Sequence, residues 1–224
     1  MFLRKSIMDV SGAALARMAM GHLTRTLLLS LTAVAALAQN SPAPAPQNAA
    51  PPYQPITGGG RFEWAIMNTI NLPSFGVGII DSAWGTGFNQ PHEYGVSLKG
   101  FGKRFGIRLT GIATSNTMEA GLGAVWGEDP RYFRSGEGSL LKREGHAIKM
   151  VFMARNRDGD VKPAYARYAA IGGSNFLSNA WRADSDATIS HAAIRVGLGF
   201  LGRLGYNTFY EFWPDVKSRV FKHH

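Results

Sequence analysis

An all-α fold, a single bundle of about five to seven helices over residues 57–224, is what this sequence predicts. Apolar residues recur at helical spacing through its long segments, and glycine and alanine run in stripes beside them. Small residues so placed let helix backbones approach closely, which offsets the poor helix propensity of glycine, about 1 kcal/mol each. Strand patterning is scarce. A membrane-spanning β-barrel needs at least about eight alternating segments, and one credible hairpin is found.

The chain opens on a leader, not on the fold. TRTLLLSLTAVAALAQN has a basic flank at Arg25, an apolar run from Leu27 to Leu37, and Ala36-Leu37-Ala38 as a cleavage site before Gln39. The run is about ten residues where a spanning helix needs roughly twenty, so it reads as a cleaved signal over residues 1–38 more than a retained anchor. Met18 or Met20 as the true start gives that signal ordinary length. NSPAPAPQNAAPPYQP carries no charge and too little apolar surface to order itself, which makes residues 39–56 a disordered Pro/Ala/Gln spacer.

Pro73 divides the next segment into two short helices, about 61–71 and 74–85. A long helix follows from Glu93 to Gly127. On its wheel Tyr94, Leu98, Phe101, Phe105, Leu109, Ile112 and Asn116 share one face, and Lys99, Lys103, Arg104 and Arg108 another. Gly95, Gly102, Gly106, Ala113 and Ala120 run beside the apolar face as helix-packing positions. After Ala113 Glu119 stands alone among apolar residues. A carboxylate so buried needs a partner, and Arg195 or Arg203 suits.

EDPRYFRSGEGS breaks the chain, and Leu140 to Arg155 is a further helix. AIKMVFMARNRDGDVKPAYARY reads as helix, loop, helix in preference to two strands around Asp158-Gly159, with Pro163 in the first turn of the second helix. Tyr165, Tyr168, Ala169, Gly172, Phe176 and Asn179 form its face. The last long helix runs from Asp186 to Phe209, capped by Asp184, Ser185 or Asp186, with Arg195, Gly199, Gly202, Arg203 and Tyr206 on one side. EFWPDVKSRVF adds a short terminal helix with Pro214 near its first turn.

The chain has a net charge of +9. Without residues 1–38 it keeps twenty basic and fourteen acidic residues, a net +6. That balance favours anionic partners, an anionic membrane surface or envelope lipid, while no nucleic-acid motif is found. The absence of cysteine excludes a thiol nucleophile, an iron–sulfur cluster and a lipidated leader.

Enzyme signatures are likewise missing. There is no G-x-S-x-G, no phosphate-cradling glycine loop and no HExxH, and His92, His146 and His191 are too scattered for metal spacing, so neither a metal nor a cofactor is expected. Glu128 and Asp129 are adjacent and therefore face apart, which favours a turn over a carboxylate pair. Arg131 and Arg134 are expected to pair with local carboxylates such as Glu137. Glu119 and His146 are the acid–base candidates of an alternative, an enzyme acting on envelope lipid or glycan, but a register-fixing ion pair at Glu119 is preferred to proton handling. Asn68, Asn116, Asn175, Asn179 and Asn207 are expected to link helices through their amides.

At EDPRYFR, SNAW, the Arg157-Asp158-Gly159 turn and EFWPD, the chain resembles a family of exported bacterial proteins with no established activity. The resemblance covers about Tyr94 to Phe221. It implies an envelope location and a shared fold, and it supplies no catalytic residue.

The expected function is that of a membrane-associated or self-associating helical envelope protein. Lys99, Lys103, Arg104 and Arg108 would meet head groups, and Trp64, Trp84, Trp126, Trp181 and Trp213 would serve as interfacial anchors. A soluble periplasmic helical binding protein is the remaining alternative.

Overall fold

The computed structural model describes residues 53–220. The expected leader and the spacer up to residue 52 lie outside the described residues. The chain divides into two compact units, of which residues 53–211 and Phe212–Val220 are described.

The fold is all-α, as the sequence predicts. Six α-helices are present among the described residues: α1 (Gly58–Thr69), α2 (Leu72–Gly87), α3 (Leu98–Trp126), α4 (Leu140–Phe152), α5 (Tyr165–Leu177) and α6 (Ile189–Val220). Five begin on a side-chain cap that satisfies an otherwise orphaned N–H, Thr188 serving α6. Thr57 accepts from Gly60 N, Asn71 from Ser74 N, Ser97 from Gly100 N and Ser139 from Lys142 N. α3 stops at Gly127, whose φ of 78° is the left-handed conformation that glycine supplies without a Cβ penalty.

α3 is the axis of residues 53–211 and packs against α1, α2 and α5. α6 reaches the same interior through side chains, with Arg203 3.5 Å from Glu119 of α3 and Asn207 donating to Ala147 O of α4.

Between the helices lies a three-stranded antiparallel sheet in the order β1 (Glu128–Asp129), β2 (Met153–Asn156), β3 (Val161–Pro163). Asp129 pairs with Arg155, and Ala154 with Lys162. The helix–loop–helix reading of this segment is thus corrected to a hairpin. Turn chemistry decides it: Asn156 Oδ1 accepts from the N–H groups of Asp158 and Asp160, and Gly159 takes a φ of 87°. Pro163 sits in the edge strand, where a missing donor is tolerated, and α5 begins two residues later.

Two further expectations are corrected. Thr188 Oγ1 accepts from His191 N at the start of α6, while Asp186 instead takes Arg182 and Arg195. α6 continues through Pro214 to Val220, so EFWPDVKSRVF is not a separate helix. One proline removes one backbone bond, and a long helix can carry it as a local irregularity.

Candidate functional site

Many of the buried side chains of residues 53–211 are those of charged and small residues, alongside Trp64, Met150, Val151 and Ile171. The largest fully buried ones include Arg167, Glu211, Asn207 and Asp129, and the apolar part of the interior is mostly alanine, among them Ala147, Ala154, Ala164, Ala166 and Ala170.

Its centre is Glu119 of α3. Arg167 of α5 donates through Nε to Glu119 Oε1 at 2.8 Å, and Arg203 of α6 approaches the same oxygen at 3.5 Å. The other end of Arg167 donates to the carbonyls of Met150, Val151 and Met153, closing the C-terminal end of α4. Arg203 also donates to Pro130 O and lies over the rings of Trp64 and Tyr206. Two cations face one carboxylate. Burial, and then the field of Arg167, push the Arg203 guanidinium down to about 10. Arg203 is the partner expected of Glu119; Arg195 is not, and Arg167 was missed. Arg195 instead holds Asp186, Asn175 O and Asn179. Arg167 escaped notice because it stands in the tyrosine- and alanine-rich run YARYAA, where a lone arginine reads as a solvated position.

Glu128 and Asp129 point to different partners, as adjacency requires. Glu128 Oε2 accepts from Ala166 N and so caps α5 from outside. Asp129 takes Arg131 Nη2 at 2.6 Å and the Tyr53 hydroxyl at 3.1 Å. Burial, with the adjacent Asp129 charge, pushes that hydroxyl up to about 12. Arg134 donates to Glu211 O, not to Glu137. Glu211 of EFWPD also binds Tyr132 of EDPRYFR at 2.8 Å, so two segments that carry the resemblance meet in space.

Arg104 is removed from the expected basic face. It is 7% exposed, and it donates to Gln90 O, Pro91 O, Gly95 O and Thr86 Oγ1, clamping the α2–α3 loop. Arg108 lies 3.7 Å from Asp81. Lys99 and Lys103 remain exposed. His146 Nε2 is 2.8 Å from Phe133 O, which gives it a backbone partner outside the Glu119 cluster. Among the described residues no group of His, Asp and Glu could hold a metal ion.

The glycines separate into two kinds. A Cβ on Gly199 would lie 2.8 Å from Ile171 Cγ2, so this position packs as expected. Gly100, Gly123 and Gly85 meet backbone oxygens at 2.4–2.9 Å. Gly95, Gly102, Gly106 and Gly202 have no described atom within 4 Å of an added Cβ, so the packing role expected of them is not met within the described residues. Ala120 is buried and Ala113 half-buried. Of the amides, Asn116 and Asn207 link helices, while Asn68 and Asn175 donate to carbonyls of their own helices.

Many large apolar side chains stand on the exterior. Leu72 is 86% exposed, Leu98 85% and Leu141 83%. On α2 Val77, Ile80 and Trp84, with Phe88 just past its end, stand outward at helical spacing, and on α6 Ile194, Leu198, Leu201 and Phe209 do the same. Trp84 and Trp126 are half exposed, whereas Trp64 is buried under Arg203. No described helix is long and apolar enough to cross a membrane. No protein-family model, curated protein or solved structure matches the chain.

Proposed function

We propose that this is an exported cell-envelope protein that works at a membrane surface as a helical structural or interaction module. One observation carries the reading: large apolar side chains of residues 53–211 stand outside while several charged ones are enclosed. Arg167, Asp129 and Glu211 are enclosed, while Leu72, Ile80, Leu98 and Leu198 stand outside. Exposed apolar surface costs about 25 cal/mol per Å² in water and costs little against acyl chains. Contiguous exposed apolar faces mark interaction or membrane sites. A helix can lie in the interface with its apolar face down and need not span the bilayer. The leader-like TRTLLLSLTAVAALAQN and the resemblance support the envelope location.

Fractionation tests the proposal. The full chain is expected in the membrane pellet, resistant to a carbonate wash and released by detergent. Complete recovery in the soluble periplasmic fraction overturns it.

Self-association is the second reading, favoured by the open small-residue run Gly102, Gly106, Thr110 and Ala113 on α3. The Thr110 and Thr114 hydroxyls turn back onto carbonyls of their own helix, which keeps that surface smooth. A dimer mass by light scattering in detergent supports this reading, and a monomer mass removes it.

A further inference from the structure

We infer that the corner where α2 runs into α3 is the part of the protein that seats on an anionic bilayer, with Trp84, Phe88, Val96 and Leu98 in the head-group layer and Lys99 and Lys103 against lipid phosphate. This rests on the membrane-surface reading and adds to it a place and a lipid chemistry.

Three features of the corner converge. The first is apolar area at one end of the bundle. The Trp84 and Phe88 rings lie 4.4 Å apart and both are about half exposed, and Val96 and Leu98 are more exposed still. Tryptophan beside aliphatic residues is the composition that settles at the head-group level.

The second is a pair of exposed cations. Lys99 and Lys103 are one turn apart on the outward side of α3, and their stems are long enough to reach phosphate while the neighbouring apolar residues enter. Asp81 lies 3.7 Å from Arg108, and Glu93 of the connecting loop accepts from Ser185 N and Oγ and keeps its own charge, so the two lysines leave a positive excess at the corner. Charge complementarity therefore selects an anionic surface over a zwitterionic one.

The third is rigidity. Arg104 ties the carbonyls of Gln90, Pro91 and Gly95 to α3, and its Cδ would lie 3.0 Å from a Cβ on Gly85 of α2. The loop that bears Val96 is thereby fixed to the helix that bears both lysines. The loss of Arg104 from the basic face is what holds this corner together.

The experiment is flotation of the purified full chain with phosphatidylcholine vesicles, with and without phosphatidylglycerol. Wild type is expected to float with the anionic vesicles and to be released by high salt. Lys99→Gln/Lys103→Gln is expected to weaken that binding about twenty-five-fold, at about fivefold per lysine. Trp84→Ala/Leu98→Ser is expected to abolish it, with an unchanged helical circular dichroism spectrum in both variants. If wild type floats and both variants float equally well, the corner is not the seat, although the membrane-surface reading survives. If wild type floats with neither vesicle, both fall.

Discussion

Arg143 holds Glu211 twice, through Nε to the carboxylate at 2.9 Å and through Nη2 to the backbone carbonyl at 2.6 Å. The same carboxylate accepts from the Tyr132 hydroxyl and the backbone N–H groups of Ser135 and Gly136. A buried anion with this many donors is compensated, and the loop that supplies them is ordered by it.

Glu211→Gln should therefore be costly, by about 3–5 kcal/mol, since it removes the buried charge around which Arg143 Nε, the Tyr132 hydroxyl and two backbone N–H groups are arranged. The cost should depend on pH. Burial alone would raise the Glu211 pKa, but Arg143, Gly136 N–H and Tyr132 outweigh it and hold it below the ordinary carboxylate value of 4.5. The unfolded chain then binds this proton more tightly than the folded one, so the stabilisation is present above that value and is lost as pH falls through the folded pKa. Glu128, pushed up by burial, contributes with the opposite sign in both proteins and cancels in the comparison. Denaturant titrations of wild type and variant should converge on acidification below about pH 4.5. A gap that stays constant with pH rejects the assignment.

Glu119→Gln should act on stability. It leaves Arg167 and Arg203 facing each other without a carboxylate, and should cost about 3–5 kcal/mol. Adding Arg203→Met removes the repulsion, so the double variant should be more stable than the two single losses sum to, with a coupling of about 1 kcal/mol or more. Thermal melts by circular dichroism measure both. An unchanged melt in Glu119→Gln, together with loss of a lipid- or glycan-cleaving activity, would instead favour the acid–base role.

Helix positions were legible because periodicity and proline breaks are local signals, and the break at Pro73 lies within the first turn of α2. The caps were not read: Asn71, Ser97 and Ser139 open helices unremarked, and the cap expected at Asp184–Asp186 falls on Thr188. Which face turns inward was not legible. Tyr165, Phe176 and Leu98 are exposed where an apolar face predicts a core, while Ala166, Arg167 and Ala170 of α5 are buried. Hydrophobic periodicity locates the core on the assumption that water lies outside, and this interior is built from arginine–carboxylate pairs and alanine. Glu119 was found because it is isolated in sequence. Arg104 and Arg167 were not, because their partners are mostly main-chain carbonyls, and any sequence supplies those.

The two kinds of glycine should respond oppositely to alanine. At Gly199 the new methyl would lie 2.8 Å from Ile171 Cγ2, and at Gly100 it would lie 2.4 Å from the carbonyl oxygens of Tyr94 and Gly95. A side chain can yield by a few tenths of an ångström, so Gly199→Ala should cost about 1–3 kcal/mol. Backbone oxygens held by the Arg104 clamp cannot yield, so Gly100→Ala should cost more and disorder the α2–α3 loop. Gly102 and Gly106 have nothing within 4 Å, and alanine there removes only the helix penalty, so each should stabilise the isolated protein by up to about 1 kcal/mol. Chemical denaturation in mild detergent measures all four. Should Gly102→Ala and Gly106→Ala be destabilising by as much as Gly199→Ala, another chain must lie against that stripe of α3, and self-association becomes the better account of the surface.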